Sequence, residues 1–206
     1  MLNAKSLSFY AGIIAVVGYL FFALLAYSQY PLPFSPMTNW LSTLGDYTLN
    51  PNGAIFYNLG IILTGLMLLL FFVGLSAWKI ENNRVQVVML RLAQIFGGLG
   101  ALCTMMSAIF PMNNFKIHAF WSTSLYIMLS TGFIFSAAAL RYHKSVPVWL
   151  LILGILPAPL VILTKYFVTV YVLEWVIVLL LLAYVFLVGG LTRRFQTEMV
   201  PKEVGI

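Results

Sequence analysis

Acidic residues are scarce in this chain, with five Asp and Glu against eleven Lys and Arg in 206 residues. Charged residues of both signs reach only 8%, where a water-soluble domain carries about a quarter. That shortage excludes a soluble globular fold. Cysteine is almost absent. The single Cys103 lies inside an apolar stretch, so no internal disulfide and no redox thiol pair can form. It reads as a small buried apolar side chain. Only two histidines are present, His118 and His143. No His pair sits at helical spacing, which argues against zinc chemistry and against membrane hydrolases built on several histidines. No metal and no cofactor are expected. Phosphate-loop and dinucleotide glycine patterns are missing as well, since Gly97-Gly98-Leu99-Gly100 lies in an apolar span and lacks their spacing. There is no low-complexity tract and no internal repeat in register. The net charge of +6 is not gathered into a basic cluster with interleaved aromatics, so nucleic acid is not an expected partner.

Long apolar runs are what the chain has, in a composition that is 62% hydrophobic. About 20 apolar residues span a bilayer as a helix. Six such spans are predicted, at about 9–27, 51–78, 84–110, 114–142, 146–164 and 167–191, with ends uncertain by ~2–4 residues. They leave no room for a separate soluble domain. The expected fold is therefore one all-α integral membrane domain over residues 1–206. Lys5 followed by an apolar run to Tyr27 has some character of a signal peptide, but the run is long for one and reads as a true first span. Asn50 with Pro51 is the expected start of the second span, and Asn82 or Asn83 caps the third. Pro157 and Pro159 must break or kink the fifth.

Charge orients these spans. Lys5, Lys79, Arg84, Arg91, Arg141, Lys144, Arg193, Arg194 and Lys202 fall on one side, and only Lys116 and Lys165 on the other. By the positive-inside rule both termini are cytoplasmic, in a multi-pass protein of the cell membrane whose partner is membrane lipid. Trp40, Trp121 and Trp175 then mark the outer interface, and Trp78 and Trp149 the inner one. Gly97, Ala101, Thr104 and Ala108 form a small-residue stripe suited to close helix packing, and Gly60 with Thr64 suggests a second seam.

The longest loop, Ser28 to Gly53, lies outside in this topology. Met37, Trp40, Leu41 and Leu44 recur at helical spacing within it. They predict a short amphipathic helix over 37–44, lying along the outer interface and stopped by Gly45, with Asn39 and Ser42 on its polar face. The stretch Ser35-Pro36, Asn39-Trp40-Leu41-Ser42-Thr43-Leu44-Gly45, Pro51, Phe56-Tyr57-Asn58-Leu59-Gly60 and Gly65, with Ile109-Phe110-Pro111 and Ile117-His118, carries a resemblance. The chain resembles a family of six-span prokaryotic membrane proteins catalogued as domain of unknown function 998. Members often carry an acid after the serine, where this chain has Thr43, its acid being Asp46. The resemblance implies the six-span architecture and candidate positions, and no activity.

Polar groups collect at the outer level of the spans. The candidate ligand-binding residues are Asn39, Ser42, Asp46, Asn58, Ser107, His118, Ser122, Tyr126, Lys165 and Glu174. Glu174 is the sharpest, since it falls about seven residues into the sixth span, roughly 10 Å deep at 1.5 Å per residue. A carboxylate there is costly unless it faces a partner or a cavity. Lys165 and His118 are its candidate partners, and Asp46, His118 and Glu174 are expected to share one outward-opening cavity. Three functions fit. One is binding or transport of a small amphiphile, solute or lipid headgroup. Another is an outer-leaflet lipid-modifying enzyme, with His118 as base, Asp46 or Glu174 orienting it, and Ser42, Ser107 or Ser122 as nucleophile. The third is a structural or assembly role without a ligand.

Overall fold

The computed structural model describes residues 4–164 and 170–198. Among them there is helix and no strand. The long helices are α1 (Ala4–Ser28), α2 (Ala54–Gly74), α3 (Arg84–Ile109), α4 (Phe115–Leu140) and α7 (Tyr171–Glu198). The shorter pair is α5 (Val148–Ile155) and α6 (Pro157–Thr164). A 3₁₀ turn at Leu75–Trp78 extends α2, and another forms at Leu41–Gly45 in the α1–α2 loop. Five helices are long and apolar enough to cross a membrane, and Val148–Thr164 is a shorter apolar one.

The helices close into a ring. α1 packs on α2, α2 on α3 and α3 on α4. The pair α5 and α6 bridges α4 to α7, and α7 returns to α1. Large apolar side chains on the outer faces, such as Phe21, Leu24, Val73, Ile95, Phe120 and Phe186, are exposed. Helices apolar inside and outside suit lipid as solvent. In such a solvent close packing holds helices together, and small residues permit it. A methyl group added at Gly132 would sit 2.7 Å from the Gly97 backbone nitrogen. The α3–α4 seam thus closes backbone to backbone at these two glycines. Ala101, Thr104 and Ala108 of the expected stripe are buried.

The ring is filled differently at its two ends. At the end holding Trp78, Phe72 stacks on Phe133 at 5.7 Å and Phe133 meets Tyr184 at 4.6 Å between ring centroids. The Tyr184 hydroxyl donates a hydrogen bond to Ser136 Oγ at 3.1 Å. At the other end, where the α1–α2 loop lies, the packed interior gives way to polar side chains.

Several local expectations change. Asn83 caps α3 by accepting the Gln86 N–H at 3.0 Å, as expected. Pro157 interrupts the fifth segment, and a new helix starts on it. By contrast, α2 begins at Ala54, not at Pro51. Asn50 is not its cap, because the Asn50 amide donates to the carbonyls of Ala26 and Leu44 at 3.1 and 2.9 Å. Trp78 is no interfacial anchor either. Its indole is buried and donates to Thr192 at 2.9 Å.

The loop helix is also shorter than the predicted 37–44. It is a 3₁₀ turn over Leu41–Gly45, with Met37 exposed outside it. Leu41 and Leu44 are buried against Tyr19, Tyr57 and Leu182, so the turn presses into the bundle rather than lying along its surface. Gly45 permits this. A Cβ there would meet Asn58 Oδ1 at 2.5 Å, while the Gly45 carbonyl accepts the Asn58 amide at 3.0 Å.

Candidate functional site

Under the 3₁₀ turn lies a cavity of about 80 Å³. Helices α1, α2, α3, α4 and α7 all line it, and the turn contributes Ser42. Each ordered water needs at least about 10–15 Å³ on the same measure, so a few waters or one small polar group fit. Tyr19, Tyr57, Tyr126, His118 and Glu174 supply its principal polar chemistry.

Glu174 stands in the first turn of α7. It is three residues from the start of α7, about 4.5 Å along the axis at 1.5 Å per residue. The deeper placement expected from a span beginning near 167 is therefore corrected. Its side chain is buried. Oε2 accepts the Leu41 N–H at 2.6 Å, and Oε1 accepts the Tyr126 hydroxyl at 3.4 Å. Ser42 faces the same carboxylate. A helix N-terminus favours a negative charge, which adds to these donors. No ion pair to Glu174 occurs among the described residues, and its expected partner Lys165 lies outside them.

His118 is buried at the first turn of α4. Its Nδ1 faces the carbonyl oxygens of Ser107 and Phe110, each at 3.0 Å. Two acceptors fix the proton on Nδ1. Nε2 is left for the cavity, where a neutral ring presents it as an acceptor. The α3 end and the turn before α4 hold the ring through backbone atoms, and no carboxylate does so.

Seven of the ten sequence candidates line this cavity: Ser42, Asn58, Ser107, His118, Ser122, Tyr126 and Glu174. Asn39 and Asp46 do not. Asn39 builds the loop, its Oδ1 accepting from the Ser35 N–H at 3.2 Å and from the Thr38 hydroxyl at 2.7 Å. Asp46 turns away from the site. Its Oδ1 accepts the Thr48 N–H at 2.7 Å, the Thr48 hydroxyl at 2.5 Å and the Asn113 amide at 2.9 Å. The expectation of one cavity shared by Asp46, His118 and Glu174 thus fails for Asp46. Local donors satisfy it in a turn that staples two loops together.

Sequence reasoning missed Tyr19 and Tyr57. Their hydroxyls lie 3.5 Å apart in the cavity wall. A signal was present, since a tyrosine inside an apolar span needs a partner for its hydroxyl. Thr64 and Thr104 also reach the wall, although their hydroxyls return to helix carbonyls at 2.8 and 2.9 Å.

Two of the three serines expected as nucleophiles are likewise bonded to backbone. Ser107 donates to the Thr104 carbonyl at 2.8 Å and Ser122 to the Ala119 carbonyl at 3.3 Å. Ser42 points its hydroxyl toward the Met112 sulfur at 3.9 Å. Among the described residues no serine hydroxyl is hydrogen-bonded to His118.

A second, wider hollow of about 310 Å³ runs between α1 and α7. Its lining is almost wholly apolar and includes Leu20, Leu24, Phe34, Leu44, Trp175 and Leu179. Tyr19 and Val178 line both spaces. The loop roofs the hollow, with Phe34 against Trp175 at 5.6 Å and the Trp175 indole donating to the Asn39 carbonyl at 3.0 Å. Compared with known proteins, the chain matches no family model, no curated protein and no solved structure.

Proposed function

We propose that the chain is a six-span protein of the cell membrane that binds or transports a small amphiphile, solute or lipid headgroup through this cavity. Both termini are cytoplasmic, so the cavity end faces outward. This orientation rests on the nine-to-two division of Lys and Arg between the two sides. In this reading the chain is also a member of the six-span family that it resembles.

One observation carries the functional reading. A carboxylate, an imidazole nitrogen and three tyrosine hydroxyls from four helices converge on one small space that is not packed shut. Polar groups in a membrane bundle are costly. A purely structural set is expected to be closed by mutual hydrogen bonds. Here the two tyrosine contacts are long, at 3.5 and 3.4 Å, and His118 keeps one nitrogen for the cavity. Few convergent polar groups within apolar walls are the usual make-up of a ligand site.

The test is to purify the chain from membranes with and without Ser122→Trp, which fills the cavity, and to analyse the bound small molecules by mass spectrometry. A molecule carried by the wild type and lost from a folded Ser122→Trp variant supports the reading. Identical contents in both would sink it.

A further inference from the structure

We propose that the preferred ligand is a single-chain amphiphile with a protonated amine head, the head in the polar cavity and the tail in the α1/α7 hollow. The proposal rests on the cavity being a ligand site and adds the chemical class of the ligand. Three observations lead to it.

Charge selects the head. Among the described residues Glu174 is the one acidic side chain lining the cavity, and no Lys or Arg lines it. A buried carboxylate that meets only neutral donors among the described residues is the costly half of an ion pair. A cation entering the cavity completes the pair, whereas a phosphate or carboxylate head adds a second negative charge beside the first. The other lining groups suit a cation too. Tyr19, Tyr57 and Tyr126 line the cavity, and tyrosine rings together with a carboxylate are a means by which proteins hold ammonium groups. An ammonium group has three N–H donors. Glu174, the His118 Nε2 and the tyrosine oxygens are acceptors for them.

Size narrows the head further. The cavity of about 80 Å³ suits a primary ammonium better than a sugar or a phosphodiester. Adjacency then supplies the tail. Tyr19 and Val178 form the shared wall of cavity and hollow, and the hollow is apolar and long enough to lie along α1 from Tyr19 to Tyr27. Leu20, Leu24 and Leu179 on its rim are exposed, so the hollow opens where lipid surrounds the bundle. An amphiphile enters sideways from the membrane and needs no aqueous path for its chain.

Trp175 lines the hollow and serves as the reporter. The protein is reconstituted in phosphatidylcholine nanodiscs and titrated with a long-chain primary alkylamine brominated in mid-tail. The signal is the quenching present in wild type and absent in Trp175→Phe, which removes quenching of the other tryptophans by probe dissolved in lipid. Saturable quenching is expected, with amine affinity at least about tenfold above that of the alcohol and the phosphate of the same tail. Glu174→Gln is expected to lower amine affinity by at least about tenfold and to leave the alcohol unchanged. Should that variant not fold, Val178→Trp at the shared wall replaces it, with loss of saturable binding expected. Equal binding of amine and alcohol or tighter binding of the phosphate overturns the amine assignment, full competition by phosphatidylethanolamine overturns the single-chain assignment, and each keeps the cavity as a ligand site. Absence of saturable quenching by every probe overturns both.

Discussion

The backbone N–H of Leu41 donates to Glu174 Oε2 at 2.6 Å, joining the loop turn to the first turn of α7 across 133 residues of chain. The carboxylate therefore does two things: it lines the cavity and it holds the turn that covers it. The two roles separate by substitution. Glu174→Gln keeps an oxygen for Leu41 and removes a buried charge, so its stability is expected within about 1 kcal/mol of wild type. Glu174→Ala leaves the Leu41 N–H without an acceptor, at a cost of about 1–3 kcal/mol. Thermal unfolding in nanodiscs should rank wild type and Glu174→Gln together, with Glu174→Ala below both. A Glu174→Ala variant as stable as Glu174→Gln would mean that the turn does not depend on this bond.

Asp46 tests the opposite assignment. It holds Thr48 and Asn113, not the cavity. Asp46→Ala is expected to loosen the junction of the two loops and to leave ligand binding as it was. Its cost is about 1–2 kcal/mol, because Thr48 and Asn113 are exposed and water replaces part of what is lost. Hydrogen exchange over residues 46–54 should accelerate while the affinity for any cavity ligand stays constant. A loss of affinity without faster exchange would return Asp46 to the site.

The α3–α4 seam makes a quantitative contrast with α7. At Gly132 a side chain runs into the Gly97 backbone at 2.7 Å, whereas at Gly190 a methyl group meets nothing within 4 Å. Gly132→Leu forces two helix backbones apart, which overpacking costs of about 1–3 kcal/mol describe as a lower bound. Gly190→Ala removes unfolded-chain freedom from a helical position and is expected to be neutral or stabilising by up to about 1 kcal/mol. The pair is compared by thermal unfolding. Equal effects would contradict backbone contact at Gly132.

The helices were legible because lipid-spanning segments announce themselves by length and hydropathy, and because Asn83, Pro157 and the Gly97 stripe obey local rules. Glu174 and His118 were legible for a related reason, since an ionisable group in an apolar segment needs a stated use. Asp46 misled because its partners are Thr48 and Asn113, one of them 67 residues away, and sequence does not reveal that pairing. The loop turn misled because Leu41 and Leu44 are buried by the bundle beneath them, while Met37 is left outside. Apolar spacing alone does not distinguish these. Tyr19 and Tyr57 meet only when α1 and α2 pack, so their shared wall belongs to tertiary structure.

Orientation can be tested at the two ends of one helix. Asn52 precedes α2 and Asn82 follows its 3₁₀ extension, and both are exposed. The intervening 25-residue segment, Ala54–Trp78, rises roughly 37 Å at about 1.5 Å per residue, more than the hydrocarbon core of about 30 Å. A membrane-spanning α2 must therefore put these positions on opposite sides. Single cysteines are placed at each in turn, in a Cys103→Ala background, and intact cells are treated with a thiol reagent that does not cross the membrane. Asn52→Cys is expected to react, and Asn82→Cys to react only after the cells are opened. The charge division requires that order, because Lys79 and Arg84 flank Asn82 and cationic loops are retained inside. Labelling of Asn82→Cys alone would invert the protein, and the cavity would then face the cytoplasm. Labelling of both in intact cells would mean that α2 does not span.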